Sequence, residues 1–207
     1  IRIVSKVSPL LDSLIEALQC LPGVGPKSAQ RMALHLLERN KNAGLILANT
    51  LEEALEKVDK CSECRIFTES DKCQICSNEK RNQNLLCVVE SVSDVFAIEQ
   101  SNQFNGHYFI LHGYLSPIDD IGPDELALSS LFSKVEKNSI EEVILATGST
   151  LEGETTSHFI FDYLKDIKNL KITKLARGVP LGGELEYVDR GTIMHALSDR
   201  QVLKEEN

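Results

Sequence analysis

Four of the six cysteines fall in two tight pairs, Cys61-x2-Cys64 and Cys73-x2-Cys76, with eight residues between the pairs. Each pair closes a knuckle that aims two sulfurs at one ion, and two knuckles complete the tetrahedral thiolate shell that zinc prefers. A closed shell leaves no position for water. The predicted Zn2+, one per chain, is therefore structural and not catalytic. Redox CxxC motifs usually come singly at a helix start after a strand, and secreted disulfide scaffolds spread their cysteines through a short chain, so both fit less well. Cys20 and Cys87 stand alone in apolar surroundings and are expected to be buried side chains, not ligands.

The stretch Leu21-Pro22-Gly23-Val24-Gly25-Pro26-Lys27-Ser28-Ala29 suggests phosphate binding. Gly23 and Gly25 permit a tight turn and close backbone approach. Gly25 stands just before a predicted helix N-terminus, where free N–H groups and the helix dipole attract an anion. Lys27 and Arg31 are four apart and share one helix face near that end. Together they would hold a DNA backbone phosphate and read no base edge, so binding should be sequence-independent, on single and double strands alike. The plainer reading is a helical corner that uses glycine only to turn. Charge favours DNA: residues 1–41 hold six Lys or Arg against three Asp or Glu, whereas the remainder holds 16 against 28 within a chain of net charge −9. The spacing resembles the helix-hairpin-helix family of DNA-binding elements.

Glu90 closes an apolar run, and Asp94 follows one helical turn later. Carboxylates at the C-terminal end of a sheet strand are a natural Mg2+ site. This resembles the Toprim domain of topoisomerases and primases, which adds an Asp-x-Asp pair after a later strand. Here that place reads Gly148-Ser149-Thr150-Leu151-Glu152-Gly153-Glu154, without the pair, and no tyrosine nucleophile stands out. A two-metal site for phosphoryl transfer is not expected. Glu90 and Asp94 are weighed instead as a rim that contacts a basic partner or is simply solvated, with weak Mg2+ binding the less favoured reading. The five histidines, His35, His107, His112, His158 and His195, show neither ligand spacing nor a triad.

These residues need elements to hold them. Ser8-Pro9 reads as a helix start, with Leu10, Leu11, Leu14, Ile15 and Leu18 at helical spacing. Further helices are predicted from Pro26 to about Arg39 and from about Ala43 to Asp59, the latter with Leu47, Leu51, Leu55 and Val58 as core contacts. Beyond the cysteines, the runs at 85–89, 107–112, 142–147 and 170–176 read as buried strands, alternating with helices near 92–101, 124–137 and 154–166. Alternation of this kind implies an α/β layer with a mainly parallel sheet. A short helix is expected near 192–199. The expected organisation is α+β and multidomain: a helical DNA-binding domain at 1–60, a four-cysteine zinc knuckle at 61–76, a Toprim-like α/β domain at 84–178 and a tail at 179–207. No apolar run is long enough to cross a membrane, and the first residues do not read as a secretory signal, so a cytoplasmic location is expected.

The order of these parts is more specific than any one of them. LPGVGPKSAQRMALHLL, a four-cysteine knuckle, HGYLSPIDDIGPDEL and LARGVPLGGELEYVDRGTIMHAL closely resemble the RecR family of bacterial recombination mediators, from about residue 10 to 200. Asp120 stands where that family usually has glycine, and Gly148-Ser149 replaces its commoner Asn-Pro. The resemblance implies a non-enzymatic protein of DNA repair that works with RecO, and in some bacteria RecF, to load RecA onto single strands coated by single-strand-binding protein. It implies a ring-shaped homotetramer around DNA, with Lys27 and Arg31 lining the DNA path, the acids near Glu90 facing RecO, and the tail serving assembly and nucleoid association following from DNA. The tail resembles a Walker B stretch, but no GxxxxGK[ST] loop exists, so ATP hydrolysis is not expected. The rival readings are a Mg2+-dependent Toprim nuclease or primase-like enzyme, and a zinc-ribbon interaction module that does not bind DNA.

Overall fold

The structure is a computed structural model that describes residues 8–176, 178–180, 182–198 and 200, so the predicted tail at 179–207 lies partly outside the described residues. The chain divides into two compact units, one ending at Val58 and one starting at Asp59.

The first unit is helical. Helix α1 (Pro9–Leu18) starts as its sequence suggests: the Ser8 hydroxyl accepts the Leu11 N–H and Pro9 occupies the first turn. Helix α2 (Pro26–Arg39) packs on α1, with Ala29 and Ala33 fully buried; their small side chains let the backbones approach. Helix α3 (Lys41–Lys57) follows after Asn40, whose side chain caps the Ala43 N–H, and packs on α2. The expected core stripe of α3 is corrected by its exposure: Leu47, Leu51 and Leu55 are 54%, 55% and 77% exposed. Three short helices offer too little surface to cover every apolar stripe. Cys20 is also exposed, contrary to expectation, because α1 stops at Leu18 and leaves it in the turn.

The second unit carries a small antiparallel ladder, β1 (Asp59–Lys60) with β2 (Phe67–Thr68), and a four-stranded sheet. The sheet strands are β3 (Leu85–Val89), β4 (His107–Ile110), β5 (Glu142–Ala146) and β6 (Lys171–Lys174). They run in the order β4-β3-β5-β6, and all three pairings are parallel. Alternate residues of β3 serve opposite faces. Leu86 and Val88 pack with α5 (Leu128–Lys137) and α6 (Leu151–Leu164) through Leu131, Phe132, Ile160 and Leu164. Cys87 and Val89 pack with Val95 of α4 (Val92–Gln100) and with Cys61, Cys64, Ile66 and Cys73. The cysteine segment therefore completes the second layer, and burial on both faces is why β3 reads as one unbroken apolar run. A final helix, α7, spans Arg190–Ser198.

Some boundaries differ from expectation. Helix α5 begins at Leu128 and not near 124, since Ala127 sits in the left-handed region with φ 54° and interrupts the helix. Helix α6 begins earlier than expected, at Leu151, because Thr150 caps it through the Gly153 N–H. The sheet ends of β4, β5 and β6 fall short of the apolar runs that contain them. Asp120 adopts φ 58°, the conformation that favours glycine, which accounts for the glycine usual at that place in the resembling family.

Candidate metal centre and nucleic-acid interface

The thiols of Cys61, Cys64, Cys73 and Cys76 converge with all four sulfurs within 4.8 Å of one another. Four sulfurs at zinc–sulfur bond length from one ion would be about 3.8 Å apart; Cys64 Sγ and Cys73 Sγ are 3.5 Å apart. Local backbone explains the convergence. The Cys61 N–H donates to the Ile66 carbonyl at 2.8 Å and the Arg65 N–H to the Cys61 carbonyl at 2.9 Å, with Arg65 at φ 68° reversing the chain after the first pair. The Cys73 N–H donates to Cys61 Sγ at 3.3 Å and the Cys76 N–H to Cys73 Sγ at 3.4 Å. Such donors favour thiolate. Packed together, the thiols compete for protons: hydrogen bonding with Cys76 holds Cys64 down to about 6, whereas burial pushes Cys73 up to about 11. All four can ionise together only when a cation compensates them. The donor set, its geometry and its closure fit a structural metal ion.

The knuckle is fastened to the sheet. The Ile110 N–H donates to the Cys64 carbonyl at 3.0 Å, and the Arg65 guanidinium donates to the carbonyls of Ile110, Leu111 and Leu126 at 3.0, 3.2 and 2.6 Å. His112 Nε2 donates back to the Arg65 carbonyl at 2.7 Å. Sequence reading missed Arg65, since nothing about one arginine after a CxxC announces that it spans three carbonyls. Arg65→Ala is expected to destabilise the second unit by about 2–3 kcal/mol while leaving metal content unchanged; a chemical melt with parallel metal analysis measures both.

In the hairpin, Gly23 has φ 78° and needs glycine's freedom, whereas Gly25 is extended at φ −84° and serves as the N-cap of α2. No side chain caps that end, so the first-turn N–H groups remain for an outside acceptor. A Cβ at either glycine would meet nothing within 4 Å, so this side of the turn is open. Lys27 and Arg31 are both exposed one turn apart on α2.

The two acids are each held by their own hydrogen bonds. Glu90 directly follows β3, and its Oε1 accepts the Gly148 N–H at 2.8 Å. Asp94 closes a capping box at the start of α4: its Oδ2 accepts the Ser91 N–H at 2.7 Å and the Ser91 hydroxyl at 2.9 Å. Among the described residues, the four cysteines are the only group of three or more ligand-type side chains that converge. Glu90's partner Gly148 belongs to the pair that stands in place of the commoner Asn-Pro.

Three family models match the chain: the helix-hairpin-helix of RecR over residues 11–55, a Toprim domain over 84–176 and the C-terminal part of RecR over 178–201. The chain is 52% identical over 194 residues to a protein of Coxiella burnetii named recombination protein RecR, covering 93% of this chain and 96% of that one. It is 54% identical over 194 residues to the protein of the same name from Saccharophagus degradans, covering 94% and 98%. With a helix-hairpin-helix, a four-cysteine centre and a parallel Toprim sheet in the order the sequence suggested, and with identity of this extent, the chain belongs to the RecR family of recombination proteins.

Proposed function

We propose that this chain is a non-enzymatic recombination mediator of DNA repair that binds DNA without regard to sequence. It acts with RecO, and with RecF where present, to load RecA onto single-stranded DNA in the cytoplasm, close to the nucleoid. The observation that carries this reading is the hairpin: an open glycine turn, an uncapped helix end, and Lys27 and Arg31 exposed beside it in an otherwise acidic chain. The domain at 1–60 is the DNA-binding part, with Gly23 and Gly25 letting the backbone approach a phosphate. The knuckle at 61–76 holds one structural Zn2+. The domain at 84–178 presents the rim near Glu90 and Asp94 to RecO, and the tail at 179–207 serves assembly.

A ring-shaped homotetramer fits the uncovered apolar stripe of α3, since leucines this exposed on a small helical unit favour burial against another copy. Salt dependence tests the site and the assembly together. Each phosphate neutralised adds roughly −0.7 to −0.9 to the slope of log K against log salt. One chain offering Lys27 and Arg31 gives a slope of about −1.5 to −2, and four chains acting together give about −6 to −7. Lys27→Ala with Arg31→Ala should flatten the slope and weaken all sequences about equally. Unchanged affinity and slope in that variant would reduce the hairpin to a structural corner. The absence of an Asp pair after β5 and of a phosphate loop supports a chain without turnover of its own. Mg2+-dependent DNA cleavage abolished by Glu90→Ala would replace this reading with that of a nuclease.

A further inference from the structure

A polar trough borders the knuckle, with Cys76 in its wall, and takes no part in the hairpin. It lies wholly within the second unit, along α5, as two clefts of ≈ 470 Å³ each that share Glu63, Lys134, Lys137 and Asn138. Each is within the size range of ligand clefts, about 300–1,000 Å³.

The charge of the trough runs against that of the rest of the chain. Its walls carry Lys72, Lys134 and Lys137, and their one carboxylate, Glu63, is already held: Lys134 Nζ lies 2.8 Å and Lys72 Nζ 3.1 Å from its oxygens. Three lysines thus face one carboxylate, with only the metal-centre sulfur of Cys76 beside them, and Lys137 makes no ion pair among the described residues. The remaining polar lining includes the hydroxyls of Ser129, Ser130 and Ser133 in one cleft and, in the other, the amides of Gln83 and Asn84 and the sulfur of Cys76 from the metal centre. Hydroxyls and amides donate to phosphate oxygens without adding charge. No arginine lines either cleft, so the lysines would address phosphate oxygens as point charges.

We propose that this trough is a second nucleic-acid site, which takes the sugar–phosphate backbone of a strand through Lys72 and Lys137. It rests on the reading of the chain as a DNA-binding protein and adds a contact in the second unit. Since the donors address phosphate and not base edges, this contact is also indifferent to sequence.

The test uses the full-length, zinc-loaded chain and a single-stranded oligonucleotide of mixed sequence. Lys72→Gln with Lys137→Gln leaves the Lys134–Glu63 pair in place; Lys137→Gln alone breaks no ion pair and guards against a folding defect. The double variant should lower the steepness of the salt slope by about 1.4 for each chain engaged, and the single variant by about half that. Bound oligonucleotide should also shield the Lys72 and Lys137 amines from acetylation, read by mass spectrometry. An unchanged slope with unshielded amines, while Lys27→Ala with Arg31→Ala still weakens binding, overturns the trough and leaves the hairpin reading standing. Shielding by polyglutamate but not by the oligonucleotide makes it a peptide site and overturns the proposal. A wild-type chain that binds no DNA overturns both.

Discussion

Cys64→Ser is expected to lose the metal and to destabilise the second unit by an amount on the order of 5 kcal/mol. A serine hydroxyl is a harder and far less acidic donor than a thiol, so the fourth position of a zinc shell is not replaced. The damage does not stop at the ion. Cys64 is buried, its carbonyl receives the Ile110 N–H, and the next residue, Arg65, binds three carbonyls beyond it. The knuckle is also the cover over Cys87, Val89, Tyr108 and Ile110, so loosening it exposes one face of the sheet to water. Metal analysis should fall from about one zinc per chain to none, and limited proteolysis should cut first within the cysteine segment. Cys87→Ala is the control: Cys87 packs against the knuckle from β3 but is no member of the four-sulfur group, so metal content should not change. A Cys64→Ser chain that keeps its zinc would remove the four-thiolate assignment.

Gly153→Ala reverses the sign expected from helix propensity. Alanine in the first turns of a helix normally gains about 1 kcal/mol over glycine. At Gly153 the added Cβ would lie 2.3 Å from the Gly148 carbonyl oxygen and 2.7 Å from Glu90 Oε1. The nearer atom is backbone and cannot swing aside, so the N-terminal end of α6 must move. That end holds Thr156, whose hydroxyl accepts the Leu115 N–H at 2.9 Å, and Ser157, whose hydroxyl lies 2.6 Å from that of Thr147. Overpacking of this kind costs about 3 kcal/mol, which exceeds the propensity gain and leaves a net loss of about 2 kcal/mol. Gly44→Ala within α3 provides the contrast, because its Cβ would meet Leu36 at an ordinary 3.7 Å; there the gain of up to about 1 kcal/mol should survive. Urea melts of the two variants decide the matter, and a Gly153→Ala chain more stable than wild type would show that the close approach to Gly148 is not kept in solution.

Much of the molecule was legible in the sequence for local reasons. Capping chemistry placed α1 and α2 at Pro9 and Pro26, and paired cysteines declared a metal knuckle because four soft ligands at that spacing have few other uses. The strand cores were legible too, since a strand buried on both faces must be apolar throughout, as Leu85–Val89 is. Burial on α3 was not legible: the leucine stripe has the spacing of a core face, but a stripe says only that it seeks cover, not that its own unit supplies it.

What the sequence determined by itself, then, is what depends on neighbours in the chain: the starts of α1 and α2, the hairpin turn at Gly23, the two cysteine knuckles and the alternation that makes a parallel sheet. Tertiary structure alone decided where those parts meet. Arg65 spans the carbonyls of Ile110, Leu111 and Leu126, which stand 45 to 61 residues away in the chain. Glu90 and Asp94, read together from their spacing, are held by different hydrogen-bond donors, Glu90 by the Gly148 N–H and Asp94 by the cap of α4. Lys72 and Lys134 pair with a single glutamate at 63, and Lys137 lines the same clefts. Such contacts follow from the packing of whole elements against one another, and residue type at a fixed spacing does not encode them.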